Sequence, residues 1–331
     1  MPSRRQFLAG LAGAVASAGL PKPLEALAQE LSHVKIVVGF PPGGTTDVTA
    51  RRIGERLAGS GYTRYPAIVE NKTGAGARIA CEAVKSAPPD GATLLLTPYS
   101  CMAIFPHTYR ELSYDPFKDF APVSLAITTT QGFAVGPLVP PNVTTLRDLL
   151  NWFRDNPRHA SFGTPGAGGT SHFIGVLMAL DSGVPLAHVP YRGSVPAIAD
   201  LVGGQIAAAL TPTADMLTQH RAGKLRLLAT SGASRTPFTP EVPAFAEVGF
   251  GYLTTDEWFG FYAPARTPTS VVDAANAAIN AVLREKPVID ALATFGLVTQ
   301  GSTPEQMAQS QREEFLRWGP LVKKVGFTAD S

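Results

Sequence analysis

Three stretches rich in glycine and hydroxyl residues carry the groups best suited to hold a ligand. The first is Phe40-Pro41-Pro42-Gly43-Gly44-Thr45-Thr46-Asp47, between an apolar run and a helical pattern. Its glycines let backbone approach a ligand closely, and hydroxyls with free N–H groups at a helix start suit an anion. The same residues also read as a tight turn with Thr46 or Asp47 as helix cap, and both readings can hold together. The second stretch is Gly163-Thr164-Pro165-Gly166-Ala167-Gly168-Gly169-Thr170-Ser171-His172. Its spacing nearly matches a phosphate loop, but Gly169 stands where the lysine before the hydroxyl residue belongs. That lysine neutralises outer phosphates, so its loss argues against a nucleoside triphosphate. What remains is a Gly-rich helix start able to hold a singly charged group such as a carboxylate. The third stretch, Thr97-Pro98-Tyr99-Ser100, is another hydroxyl-lined strand exit.

Catalytic chemistry is the weaker reading. Ser171 and His172 suggest a nucleophile and a base, yet adjacent helical residues point about 100° apart and cannot pair directly. No Gly-x-Ser-x-Gly elbow occurs. The histidines (His33, His107, His159, His172, His188 and His220) show no metal-type i, i+4 pair and no Cys/His cluster. His172 therefore reads first as a structural or ligand hydrogen-bonder. Gly74-Ala75-Gly76-Ala77-Arg78-Ile79 begins like a dinucleotide fingerprint but has Ile79 where the last glycine belongs. No cofactor, metal or catalytic residue is expected.

The elements that position these loops alternate between apolar runs and helical patterns. Val34 to Val38 reads as a buried strand, followed by a helix over 47–57. Residues 67–70 and 93–96 read as strands flanking a helix over 79–87. A second series starts after Ala134-Val135. It has a Thr145-capped helix through Arg154, a strand at 160–163, a helix near 171–179 and a strand at 188–190. A helix over 196–202 and strands at 206–210 and 225–229 complete it. Thr267-Pro268 opens a further helix, and Thr303-Pro304-Glu305-Gln306 is a capping box for the last one. Such alternation implies mostly parallel sheets with helices on both faces. Two series imply two lobes, with function sought in the loops beyond the strands' carboxyl ends.

The amino terminus reads as an address. Ser3-Arg4-Arg5-Gln6-Phe7-Leu8, then a weakly apolar run from Ala9 to Leu20, resembles a twin-arginine export signal. The run is shorter than the about 20 apolar residues a spanning helix needs. Ala26-Leu27-Ala28 is a small-x-small cleavage site, so residues 1–28 form the signal and the mature chain starts at Gln29. The whole chain has 28 basic and 26 acidic residues; the mature part has 25 of each. That neutrality, without a basic stripe, speaks against a nucleic-acid partner. About 300 mature residues exceed the usual single core, again favouring two lobes. Cys81 and Cys101 read either as a disulfide, adding about 3 kcal/mol, or as two unpaired small core residues.

In order, these segments resemble the receptor proteins of tripartite tricarboxylate transporters, the Bug family. The resemblance rests on Phe40 to Asp47 with Ala50-Arg51, Glu70 to Gly76, and Pro89-Asp90-Gly91 through Leu95. It continues in His188 to Gly193 with Pro196-Ala197, Gly223 to Arg226, and Trp258 to Gly260 through Ala263-Pro264. It implies an α/β, two-lobed type II periplasmic binding protein-like fold with a hinge and an interlobe cleft. Lobe 1 is then 33–129 plus 258–331, and lobe 2 is 130–257. It also implies a periplasmic, monomeric receptor that captures a small organic carboxylate for membrane transporter subunits. An exported hydrolase or transferase using His172 and Ser171, and a sensor subunit for a signalling partner, are the alternatives.

The family's grip, carried onto this chain, falls on Phe40, Pro42, Gly43, Gly44 and Thr45, then on Thr97, Tyr99 and Ser100. From the second lobe it falls on Gly163, Thr164, Gly168, Gly169, Thr170 and Ser171, with Thr211 and Thr213 facing them. Tyr191 and Arg192 either line the cleft or shape a turn. Two departures stand out: Ala77-Arg78 where Gly and a small polar residue are usual, and Thr211 where Asp or Asn is usual. An Arg78 aimed into the cleft, and the loss of a partner for an amino group at Thr211, both lean towards a purely anionic ligand.

Overall fold

The computed structural model describes residues 30–329. The export signal and the cleavage site after Ala28 lie outside the described residues. In chain order the first half contains β1 Lys35–Val38, α1 Thr45–Arg56, β2 Ile68–Asn71, α2 Arg78–Lys85, β3 Thr93–Pro98, α3 Phe105–Thr108, β4 Phe120–Val135 and α4 Leu146–Asp155. Then come β5 Ser161–Thr164, α5 Thr170–Ser182, β6 Ala187–Pro190, α6 Ser194–Val202, β7 Ala208–Pro212, α7 Thr213–Arg221 and β8 Arg226–Thr230. The chain closes with β9 Asp256–Pro264, α8 Thr269–Leu283, α9 Lys286–Ala293, β10 Val298–Thr299 and α10 Pro304–Val325.

Two lobes form because one strand belongs to two sheets. The sheet order is β2-β1-β3-β9-β4-β7-β5-β6, with β8 and β10 also paired to β4. β4 pairs with β9 as far as Thr130 opposite Asp256. From Gln131, opposite Pro212, it pairs with β7 instead. The return crossing lies alongside: Ser231 N donates to the Gln131 carbonyl and Thr255 N to the Ser231 carbonyl. Both lobes therefore meet at Gln131, Ser231 and Thr255.

Each sheet buries both faces. In β1, Ile36 and Val38 join a core with α1, α8 and α9, whereas Val37 points into a core with α2 and α10. Alternate side chains of a strand leave opposite faces, so a strand between two helical layers must be apolar throughout. The second sheet has α4 and α5 on one side, and α6 and α7 on the other. Capping boxes start α4 (Thr145 with Asp148) and α10 (Thr303 with Gln306), as their sequences require.

Two expectations are corrected, and one open alternative is decided. The sheet is not mostly parallel: the outer strands pair in parallel, but every pairing of β4 and β9 is antiparallel. The crossing strands impose this, because each runs counter to the strands beside it. Neither Thr46 nor Asp47 is the cap of α1. The cap position is Gly44, and Asp47 reaches back from within the helix to accept from Gly43 N at 3.0 Å. Cys81 and Cys101 are free thiols, both fully buried. They share one core, where Cys101 Sγ points at the Gly76 carbonyl, 3.7 Å away. Burial pushes the Cys81 thiol well above its ordinary value, and the neighbouring Cys101 pushes the same way.

Candidate functional site

A cavity opens where the loops after β1, β3, β5 and β7 converge. Its space, counted together with the open solvent at its mouth, is about 630 Å3. Its floor is the crossing itself, since Gln131 of β4 and Glu257 of β9 both line it. Phe40, Pro41, Pro98, Phe105, Val195 and Phe259 make much of the wall apolar.

Two helix starts, one per lobe, border this space. At α1, Asp47 fixes the loop: Arg51 and Asn71 donate to its carboxylate, and Asn71 Nδ2 also donates to the Phe40 carbonyl. Burial pushes the Asp47 carboxyl up, but Arg51, Gly43 N–H and Asn71 together hold it below its ordinary value. Gly44 supplies no side-chain cap. Instead Asp215, from the first turn of α7, accepts from Thr45 N and Thr45 Oγ1, each at 2.7 Å. Burial pushes the Asp215 carboxyl up, opposed by Ser194 and Thr45.

At α5, Gly169 likewise supplies no side-chain cap. Gly168 has φ +78°, and a Cβ there would lie 2.5 Å from Thr108 Cγ2. Only glycine serves at such a turn and such an approach. Gly168 N donates to His172 Nδ1 at 3.1 Å. The His172 ring stacks on His188 at 3.9 Å. Burial, aided by His188, lowers its pKa to about 3, so the imidazole is neutral. Ser171 Oγ donates to Gln131 Oε1 at 2.7 Å, and Gln131 Nε2 donates to Glu257 Oε2 at 2.7 Å. Glu257 is buried, and burial pushes its carboxyl up to about 7 against the pull of Thr170, Gln131 and Ser100. The Thr170 hydroxyl faces this carboxyl, yet its buried Oγ1 closes no hydrogen bond.

Of the expected site residues, Phe40, Gly44, Thr45, Ser100, Gly169, Thr170 and Ser171 border the cavity. Gly43 faces an adjoining groove, and Pro42 is exposed. The others sit behind the lining. Thr97 and Tyr99 are fully buried, with Tyr99 packed on Trp258 at 5.4 Å. Gly163 lies in β5, and Thr164 Oγ1 bonds His188 Nε2 at 2.7 Å. Gly168 supports the α5 turn. Tyr191 donates to Asp200 Oδ2, Thr211 donates to the Pro212 carbonyl, and Thr213 bonds Thr130. Arg78 does not enter the cavity: its guanidinium lies over the Tyr109 ring, with Nε donating to the Ala75 carbonyl.

Sequence reading missed Gln131, Asp215 and Glu257. Each left a faint mark, being a polar residue beside an apolar strand or at a helix start. Their roles come from partners far along the chain. Among the described residues, no lysine, arginine or histidine lines the cavity.

A family model described as tripartite tricarboxylate transporter family receptor matches residues 50–327. BugT of Bordetella pertussis is 31% identical over 94% of this chain and 95% of its own length. The periplasmic binding protein BugD superposes with a TM-score of 0.84 at 28% identity, covering 91% of this chain and 99% of that one. Rpa4515 of R. palustris, solved with adipate, also gives 0.84, at 31% identity over 91% of this chain and 99% of its own. Its fold is thus that of a two-lobed periplasmic binding protein, in which His172 serves the α5 turn. The chain belongs to the tripartite tricarboxylate transporter receptor family, the Bug-type solute-binding proteins, and is a receptor, not an enzyme.

Proposed function

We propose that this protein is exported to the periplasm, captures a small organic carboxylate in the cavity between its lobes, and passes it to membrane subunits of a tripartite tricarboxylate-type transporter. One observation carries the reading: the start of α5, which has no side-chain cap, faces the start of α1 from the opposite lobe across one cavity floored by the crossing strands. A helix start offers N–H groups and partial positive charge to an anion. Rpa4515, structurally similar, is solved with the dicarboxylate adipate. In this reading lobe 1 is 33–129 plus 258–331, lobe 2 is 130–257, and the lobes hinge about Gln131 and Thr255. No helix among the described residues is long and apolar enough to cross a membrane. Residues 1–28 act as the export signal, and the mature monomer meets its ligand outside the cytoplasm.

Binding only the folded state raises thermal stability. Thermal-shift measurements on the mature protein, against aliphatic, aromatic, hydroxy and amino carboxylates at millimolar concentration, should reveal at least one stabilising acid. A panel in which no carboxylate shifts the transition overturns the reading.

A further inference from the structure

We propose that Glu257 and Asp215 make this cavity selective for a carboxylate that also carries a hydrogen-bond-donating cationic group, an amino acid or other amino carboxylate. The inference rests on the reading of the cavity as a carboxylate site and narrows it.

The argument is one of available seats. Of the two helix starts, α1 already gives Thr45 N–H and Thr45 Oγ1 to Asp215 Oδ1. That leaves α5, with no side-chain cap, as the seat for one external carboxylate. The remaining charge on the lining is negative or titrating to negative, with no basic side chain to offset a second anion. Burying an unpaired charge beside a like charge is costly, whereas a cation set against a buried carboxyl is stabilised. Glu257 is fixed for such a contact. Its Oε2 is held by Gln131, which is itself held by Ser171 of α5, so carboxyl and helix start are joined by two hydrogen bonds. Thr170, only 2% exposed, borders the cavity, and its buried hydroxyl, which faces the Glu257 carboxyl, closes no hydrogen bond among the described residues. A ligand carboxylate at the α5 start would take up that hydroxyl, with its ammonium beside Glu257 or Asp215. Phe40, Phe105 and Phe259 would contact the ligand's apolar part.

Matched pairs test this by calorimetry on the mature protein at pH 7.5: phenylalanine against 3-phenylpropionate, and 6-aminohexanoate against hexanoate and adipate. At least one amino carboxylate should bind about tenfold or more tighter than its amine-free partner. Glu257→Gln or Asp215→Asn should remove most of that preference, with the fold of each variant checked by its melting transition. If the acids without an amine bind equally or more tightly, the selectivity is overturned and the carboxylate reading stands. If an amino carboxylate binds but neither substitution changes the preference, the assignment to these two carboxyls is overturned. Failure of every acid, with or without an amine, overturns both readings.

Discussion

The starts of α1 and α5 are built from similar residues and held in opposite ways. Both follow a parallel strand, both begin at a glycine, and neither has a side-chain cap. Charge pins the α1 loop: Asp47 gathers Gly43, Arg51 and Asn71, and Asp215 reaches across from the other lobe. The α5 loop is pinned without an ion pair, by the neutral His172 imidazole and by the Ser171–Gln131 link that ends on the Glu257 carboxyl. One helix start is therefore engaged by an internal carboxylate, while the other is connected to a carboxyl that titrates. A Gly-hydroxyl loop marks a potential anion site, but the side chains brought to it from a distance decide its charge.

Glu257→Gln should give the largest effect on this contrast. Burial raises the folded-state pKa from its ordinary 4.5 to about 7. As pH rises, the unfolded chain releases this proton first, so the group's contribution falls from about pH 4.5 to 7 and stays low above. The neutral amide escapes that loss. At pH 8 the variant should be more stable by up to ~3 kcal/mol, and at pH 4 nearly unchanged. Chemical denaturation at both values checks this. Glu314 also faces Glu257 and raises its pKa, so Glu314→Gln should move the midpoint of that pH dependence downward. An equal effect of Glu257→Gln at both pH values would assign its role to packing instead of charge.

The two pins should also differ in strength. Asp47→Ala leaves Gly43 N–H and two charged or amide donors without their acceptor, and should cost about 3 kcal/mol. His172→Phe keeps the ring's stack but removes the acceptor for Gly168 N–H, and should cost about 1–2 kcal/mol. Urea midpoints rank the two. The reverse order would mean that the neutral pin dominates.

The parts legible in sequence were local ones. Thr145 with Asp148, and Thr303 with Gln306, make their caps within one turn, so composition alone reveals them. The glycine loops at 40–47 and 163–172 are local for the same reason. β4 was nearly invisible because Ser124, Thr128, Thr129, Thr130 and Gln131 break any apolar periodicity, and its partners come from both lobes. The bond between Gln131 and Glu257 spans 126 residues, and that between Thr45 and Asp215 spans 170. The lean towards a purely anionic ligand rested on Arg78 and on Thr211. Arg78 stacks on Tyr109 outside the cavity, while Asp215, four residues after Thr211, supplies a carboxyl inside it.

The smallest expected effect concerns the turn against which the α5 loop rests, since a Cβ on Gly166 would lie 3.6 Å from Gly76 Cα. Ala77, in that turn, has φ +76°. An L-residue there carries about 1–2 kcal/mol of strain. Its methyl is nevertheless buried against a core and lies close to Gly39. Ala77→Gly relieves the strain, loses about 0.8 kcal/mol of methyl burial, and adds unfolded-state freedom of about 0.5–1 kcal/mol. These terms nearly cancel. Ala80, equally buried but in the regular turns of α2, has no strain to release. Ala80→Gly should therefore destabilise by at least ~1 kcal/mol more than Ala77→Gly in paired urea titrations. Equal losses would show that the left-handed turn is held without strain, and that the α5 loop rests on a surface as relaxed as the helix beside it.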